Sequence, residues 1–233
     1  MNLEKNIEDV RRRIEEACMR CGRNPDEITL IGVTKTKPTD IINESIDKYG
    51  IKVIGENKVQ EIMQKYDDLS KNAQLHLIGH LQTNKVKYIV DKVDMIHSVD
   101  TAHLADEISR RAGKCGVVMN TLVQVNVSGE ESKSGVSPEN LDELLEHISC
   151  LPNIKVSGLM TIAPVFDGNI ENTRKVFKTL YNIFLDKKQK KYDNIIMENL
   201  SMGMSGDFEC AIEEGATMVR VGSLIYGERN YSI

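Results

Sequence analysis

The sequence has no uninterrupted apolar run approaching the ~18 residues of a bilayer-spanning helix, which excludes a helical membrane protein. Its first 17 residues alternate charge with single apolar side chains and lack an apolar h-region, which excludes a secretory signal peptide. Basic charge is not in excess: 30 Lys+Arg stand against 35 Asp+Glu, a formal net charge of -5. A broad nucleic-acid-binding surface, which works by neutralising phosphates, is excluded by that balance. Cysteine is scarce, at 5. An odd number without a signal peptide points to reduced thiols in the cytoplasm. No Pro-, Gly- or Ser-rich joint, low-complexity stretch or tandem motif divides the chain. One domain over residues 1–233 is expected, a length that a single large α/β domain fills.

What is present is a globular composition, 40% hydrophobic and 28% charged. Leu3, Ile7, Val10, Ile14, Cys18 and Cys21 form one helical stripe, and Gly22 supplies a stop. Short β-branched runs then recur at Ile28–Thr34, Lys52–Ile54, Leu75–Ile78, Met95–Val99, Thr121–Val127, Ile154–Leu159, Ile195–Leu200 and Met218–Val221. Charged amphipathic stretches such as Thr101–Gly113, Ser137–Cys150 and Ile170–Lys188 lie between them, and a helix is expected between each consecutive pair. Such alternation implies parallel βαβ units, and eight of them close most economically into a (β/α)8 TIM barrel, here with an extra N-terminal helix. The alternative is an open doubly wound sheet. That fold usually opens with a Gly-rich strand-to-helix turn, whereas the first turn here is Lys35–Pro38.

Barrels of this kind place their chemistry at the C-terminal ends of the strands. The loops after the seventh and eighth runs, Ser201–Gly206 and Gly222–Ser223, carry the Gly and Ser that a phosphate site uses. They read equally as ordinary turns with Ser205 as a helix cap. Lys35 follows a strongly apolar strand and is placed to project into the barrel mouth, with a second cation at Lys37. Desolvation and like charge there favour a nucleophilic amine, against the alternative of a solvated or anion-pairing lysine. Lys37 ranks second, because Pro38 turns its backbone out of the strand. A Schiff-base lysine opposite a phosphate site points to pyridoxal 5′-phosphate, with Arg220 near the pyridine ring.

At these residues the chain resembles the pyridoxal phosphate homeostasis proteins, single-domain relatives of the alanine racemase N-terminal barrel. The likeness runs through Val33–Pro38, Gly55–Asn57, His76–Lys85, Gly158–Met160, Leu200–Asp207 and Arg220–Gly227, departing only at Tyr226, where the family often has Phe. The resemblance implies that Lys35 carries the cofactor as a Schiff base. It implies that Ser201, Gly222 and Ser223 hold the phosphate, with Asn57 and Arg220 near the ring. It also implies binding, storage and delivery of pyridoxal phosphate in vitamin B6 homeostasis without turnover, so no catalytic residue is assigned. Apo-forms of pyridoxal-phosphate enzymes are the expected recipients, and a monomer is expected.

Two enzyme readings compete. A low-activity amino-acid racemase would need the second domain and partner that complete such sites, and the chain ends soon after the eighth run. A phosphosugar isomerase would need a carboxylate base, for which Glu56 is the candidate, read as exposed. No metal site is expected: Cys18 and Cys21 fit the helical stripe, and the pair His76 and His80 lacks further ligands. Lys187–Lys191 reads as a basic loop, His97, His103 and His147 as structural or surface groups, and Lys133 as a secondary anion contact in the loop after the fifth run.

Overall fold

The computed structural model describes residues 2–130, 133–164 and 170–228. Eight parallel strands close into one barrel in chain order: β1 (Thr29–Val33), β2 (Val53–Glu56), β3 (Gln74–Leu77), β4 (Met95–Val99), β5 (Met119–Gln124), β6 (Ile154–Met160), β7 (Ile195–Met204) and β8 (Met218–Val221). Closure is made by β8 against β1, with Ile31 opposite Arg220. Strands buried on both faces are apolar runs rather than alternating ones, and all five residues of β4 are buried. Ile31, Val53, Met95, Leu122, Met160 and Met218 form a cluster of their own, separate from the larger core beneath the helices.

The helices are α1 (Leu3–Cys21), α2 (Thr39–Asp47), α3 (Val59–Lys65), α4 (Ala102–Cys115), α5 (Leu141–Ser149), α6 (Ile170–Lys188), α7 (Phe208–Glu213) and α8 (Ser223–Tyr226). The extra helix α1 is capped by Asn2, whose side chain accepts from Lys5 N, and ends at Gly22. Its apolar stripe is buried, and the helix packs on α7 and α8.

Three expectations are corrected. Between β3 and β4 there is no α-helix, only a 3-10 helix over Thr83–Tyr88. The preceding segment is drawn onto the barrel mouth, where a Cβ on Gly79 would lie 2.3 Å from Asn57 O. Strand β2 continues to Glu56, whose carboxylate accepts from Thr34 and Lys65, and β7 runs to Met204, past Ser201, whose Oγ accepts from Arg220. Strand β5 stops at Gln124, short of the expected Val127. No described helix is long and apolar enough to cross a membrane.

Candidate functional site

At the C-terminal end of β1 the chain turns sharply. Thr34 N donates to Gly55 O across to β2, and Lys37 N closes a four-residue turn by donating to Thr34 O at 3.1 Å. Lys35 occupies the second position of that turn. Thr36 occupies the third, at φ 62, in the left-handed region where such turns normally place Gly. Lys37 has left the strand, and its Nζ donates to Glu228 O at 3.1 Å.

The β2 end brings Asn57 to the same mouth, where its buried Oδ1 has no hydrogen-bond partner. On the opposite side, the loops after β7 and β8 are tied together by Gly222 N donating to Ser205 Oγ at 3.2 Å. The alternative reading of Ser205 as a helix cap is therefore corrected. The residue before α7 is Asp207, whose Oδ1 accepts from Met204 N at 2.5 Å.

These pieces surround a cavity of about 310 Å³. Lys35, Asn57, Arg220, Gly222 and Ser223, all predicted from sequence, line it, together with Lys37, Ser205 and Gly206. Val33, Ile78, Ile162 and Met204 supply apolar walls. The sixth predicted residue, Ser201, is fully buried and is not among the lining residues. Its Oγ accepts from Arg220 Nη1 at 2.6 Å, while Arg220 Nη2 donates to Thr161 O at 2.9 Å. Burial lowers the Arg220 guanidinium to about 10, so it stays charged at neutral pH.

Beneath the cavity a polar column continues through the barrel. Ser201 Oγ lies 3.1 Å from His97 Nδ1, and His97 Nε2 lies 3.0 Å from His76 Nδ1. Burial pushes His76 down to about 4, and His97, also facing His76 and Arg220, lies well below the usual imidazole range. Both rings are neutral at neutral pH. One proton then sits between the two rings, and His76 Nε2 ends the column without a partner. In the sequence His97 stands alone, 21 residues from His76. A histidine in the middle of the apolar run Met95–Val99 was the available signal, since a buried polar group must find a partner.

Other sequence candidates fall elsewhere. Glu56 is fully buried rather than exposed, and it lies off the cavity. Its Oε1 accepts from Thr34 Oγ1 and from Lys65 Nζ, each at 2.7 Å, and burial raises its carboxyl above the usual range. The isomerase reading thereby loses its base. Lys133 lines a smaller cavity of about 180 Å³ with His80 and Asn126, and its Nζ pairs with Glu130 at 2.9 Å. Glu131 and Ser132 of that loop lie outside the described residues. Cys18 is buried in the α1 stripe, and no cluster of three metal-ligating side chains occurs among the described residues. Lys187 and Lys188 belong to α6 rather than a loop, and Lys187 pairs with Asp142 at 2.8 Å.

Comparison with known proteins places these features in context. Residues 2–230 match the family model described as alanine racemase, N-terminal domain. The chain is 50% identical over 232 residues to a pyridoxal phosphate homeostasis protein of Aquifex aeolicus, spanning 99% of this chain and 100% of that one. A crystal structure of a protein from Bifidobacterium adolescentis superposes with a TM-score of 0.88 at 36% identity, covering 96% of this chain and 94% of that one. PipY of Synechococcus elongatus PCC7942, solved with pyridoxal phosphate bound, superposes with a TM-score of 0.79 at 32% identity. That match covers 92% of this chain and 100% of PipY.

Proposed function

The chain belongs to the pyridoxal phosphate homeostasis protein family, built on the alanine racemase N-terminal fold, and on that premise we propose that it binds pyridoxal 5′-phosphate at the mouth of its barrel and serves as a store and donor of it. The observation that carries this reading is one cavity gathering an amine, a charged guanidinium and two Ser/Gly loops. The donor set fits the group. Ser205, Gly206, Gly222 and Ser223 offer hydroxyls and closely approachable backbone for a phosphate, and the orphaned Asn57 Oδ1 awaits a donor.

When bound, the cofactor supplies an aldehyde that takes an amine and a ring that draws electrons. Lys35 is the amine we assign to that aldehyde. Arg220, in the cavity wall, would serve as the donor to the ring nitrogen of the bound cofactor, which would keep that nitrogen unprotonated and weaken the ring as an electron sink. We assign Ser201 the task of holding Arg220 in place, in line with the 2.6 Å bond between them.

Delivery rather than turnover is supported by the names of the relatives and by the wall of the cavity. Ile162 and Met204 are 37% and 40% exposed, so water reaches the mouth, where a preorganised dry site would exclude it. We read the protein as a monomer that hands cofactor to apo-enzymes. A cytoplasmic location accords with its five free cysteines.

The test is the visible absorption spectrum of the protein with pyridoxal phosphate, before and after borohydride, for wild type and Lys35→Ala. A yellow band removed by borohydride, with a covalent adduct mapped to Lys35 and absent in the variant, is expected. Full affinity and an unchanged spectrum in Lys35→Ala would overturn the assignment. Lys35-dependent exchange of an amino acid's α-proton at turnover rates would replace donor with enzyme.

A further inference from the structure

We propose that Glu61 and Lys65, side by side on α3 and outside the cavity, are positioning residues that hold the Lys35 turn in its working conformation. The inference rests on the reading of Lys35 as the cofactor's amine. Two side-chain-to-backbone bonds bracket Lys35. Lys65 Nζ donates to Thr34 O at 3.0 Å, and Glu61 Oε2 accepts from Thr36 N at 2.6 Å.

The turn needs such help. Thr36 is β-branched and sits at φ 62, a strained conformation that persists only where surrounding structure imposes it. The clamp is itself fixed from behind. Lys65 Nζ also pairs with Glu56 Oε1 at 2.7 Å and Glu61 Oε2 at 3.2 Å, while Glu56 Oε1 accepts from Thr34 Oγ1. Glu61 and Lys65 side chains are 16% and 12% exposed, and that of Glu56 is 0% exposed.

Charges removed from water to this degree are a weak source of stability, since desolvation offsets their attraction. They are effective at fixing geometry. Burial alone would raise the Glu61 carboxyl, but the Thr36 N–H and Lys65 outweigh it and hold the group below the usual range. The spacing Glu61–Lys65 is i,i+4, so one face of a single helix presents both bonds to the turn.

The experiment compares two probes on the full-length protein. Pyridoxal phosphate reports Lys35 together with the ring and phosphate contacts. The analogue 4′-deoxypyridoxine 5′-phosphate lacks the aldehyde and reports the ring and phosphate contacts alone. Glu61→Leu and Lys65→Met are expected to weaken capture of pyridoxal phosphate about tenfold, because the competent turn becomes a minor conformer. Their affinity for the analogue should stay within twofold of wild type.

Glu61→Gln keeps an oxygen for Thr36 N and should lose less than threefold. Thr36→Gly, which adopts positive φ without strain, should restore most of the loss when added to Glu61→Leu. Equal weakening for both probes, or no rescue by Thr36→Gly, would make Glu61 merely structural and overturn the proposal. A wild-type protein that bound neither probe would instead overturn the cofactor reading, and this inference with it.

Discussion

Tyr226 is 1% exposed, and its hydroxyl lies 2.9 Å from Ser45 Oγ. Ser45 Oγ also donates to Ile42 O at 2.7 Å, so it keeps a partner if the tyrosine oxygen is removed. Tyr226→Phe should therefore cost only about 1 kcal/mol in urea-midpoint stability, the net worth of one hydrogen bond. A loss above ~3 kcal/mol would mean that the hydroxyl does more than this bond. Residues of this kind explain what the sequence could disclose about the site. Lys35, Asn57, Gly222 and Ser223 stand directly after strands, so position in the pattern located them at the mouth. Ser201 was found as a motif member, yet its surroundings were not legible. Its partner His97 is 104 residues away, and only closure of the barrel brings them to 3.1 Å.

At the scale of elements, apolar patterning found every strand and misjudged ends where a polar residue is satisfied by a distant partner. The apolar run Ile195–Leu200 predicts a strand that ends before Ser201, although β7 continues to Met204. Glu56 extends β2 in the same way, through Thr34 and Lys65. The α1 stripe was legible in full because its partners need only be apolar, and the prediction for this element follows from that. Ile7, 1% exposed in the core beneath the helices, should cost about 2–5 kcal/mol when cut to Ala, from lost burial and the cavity left behind. Met19, on the outer face and 74% exposed, should cost under ~0.5 kcal/mol. Chemical denaturation of Ile7→Ala and Met19→Ala checks both, and similar losses would contradict the assigned face.

For the whole molecule, closure forces a column of polar groups into the barrel's interior, and that column makes folding sensitive to acid. His76 and His97 are 1% and 0% exposed, and burial holds both imidazoles neutral, His76 down to about 4. In the unfolded chain each returns to its ordinary value near 6.5. Between that value and about 4 the unfolded state binds more protons, so stability is full above roughly pH 6.5 and falls as the pH drops. His76 alone should remove ~2 kcal/mol by about pH 5, and His97 acts in the same direction. Glu56, Asp100 and Asp207, all raised by burial, act in the opposite sense, because the folded state holds their protons more tightly. Substitution separates the two contributions. His76→Met should be less stable than wild type near neutral pH, since His97 Nε2 loses its partner, yet lose less on going to about pH 5. Urea midpoints of the two proteins at both pH values measure this difference. Equal losses in both would assign the acid sensitivity to groups other than His76.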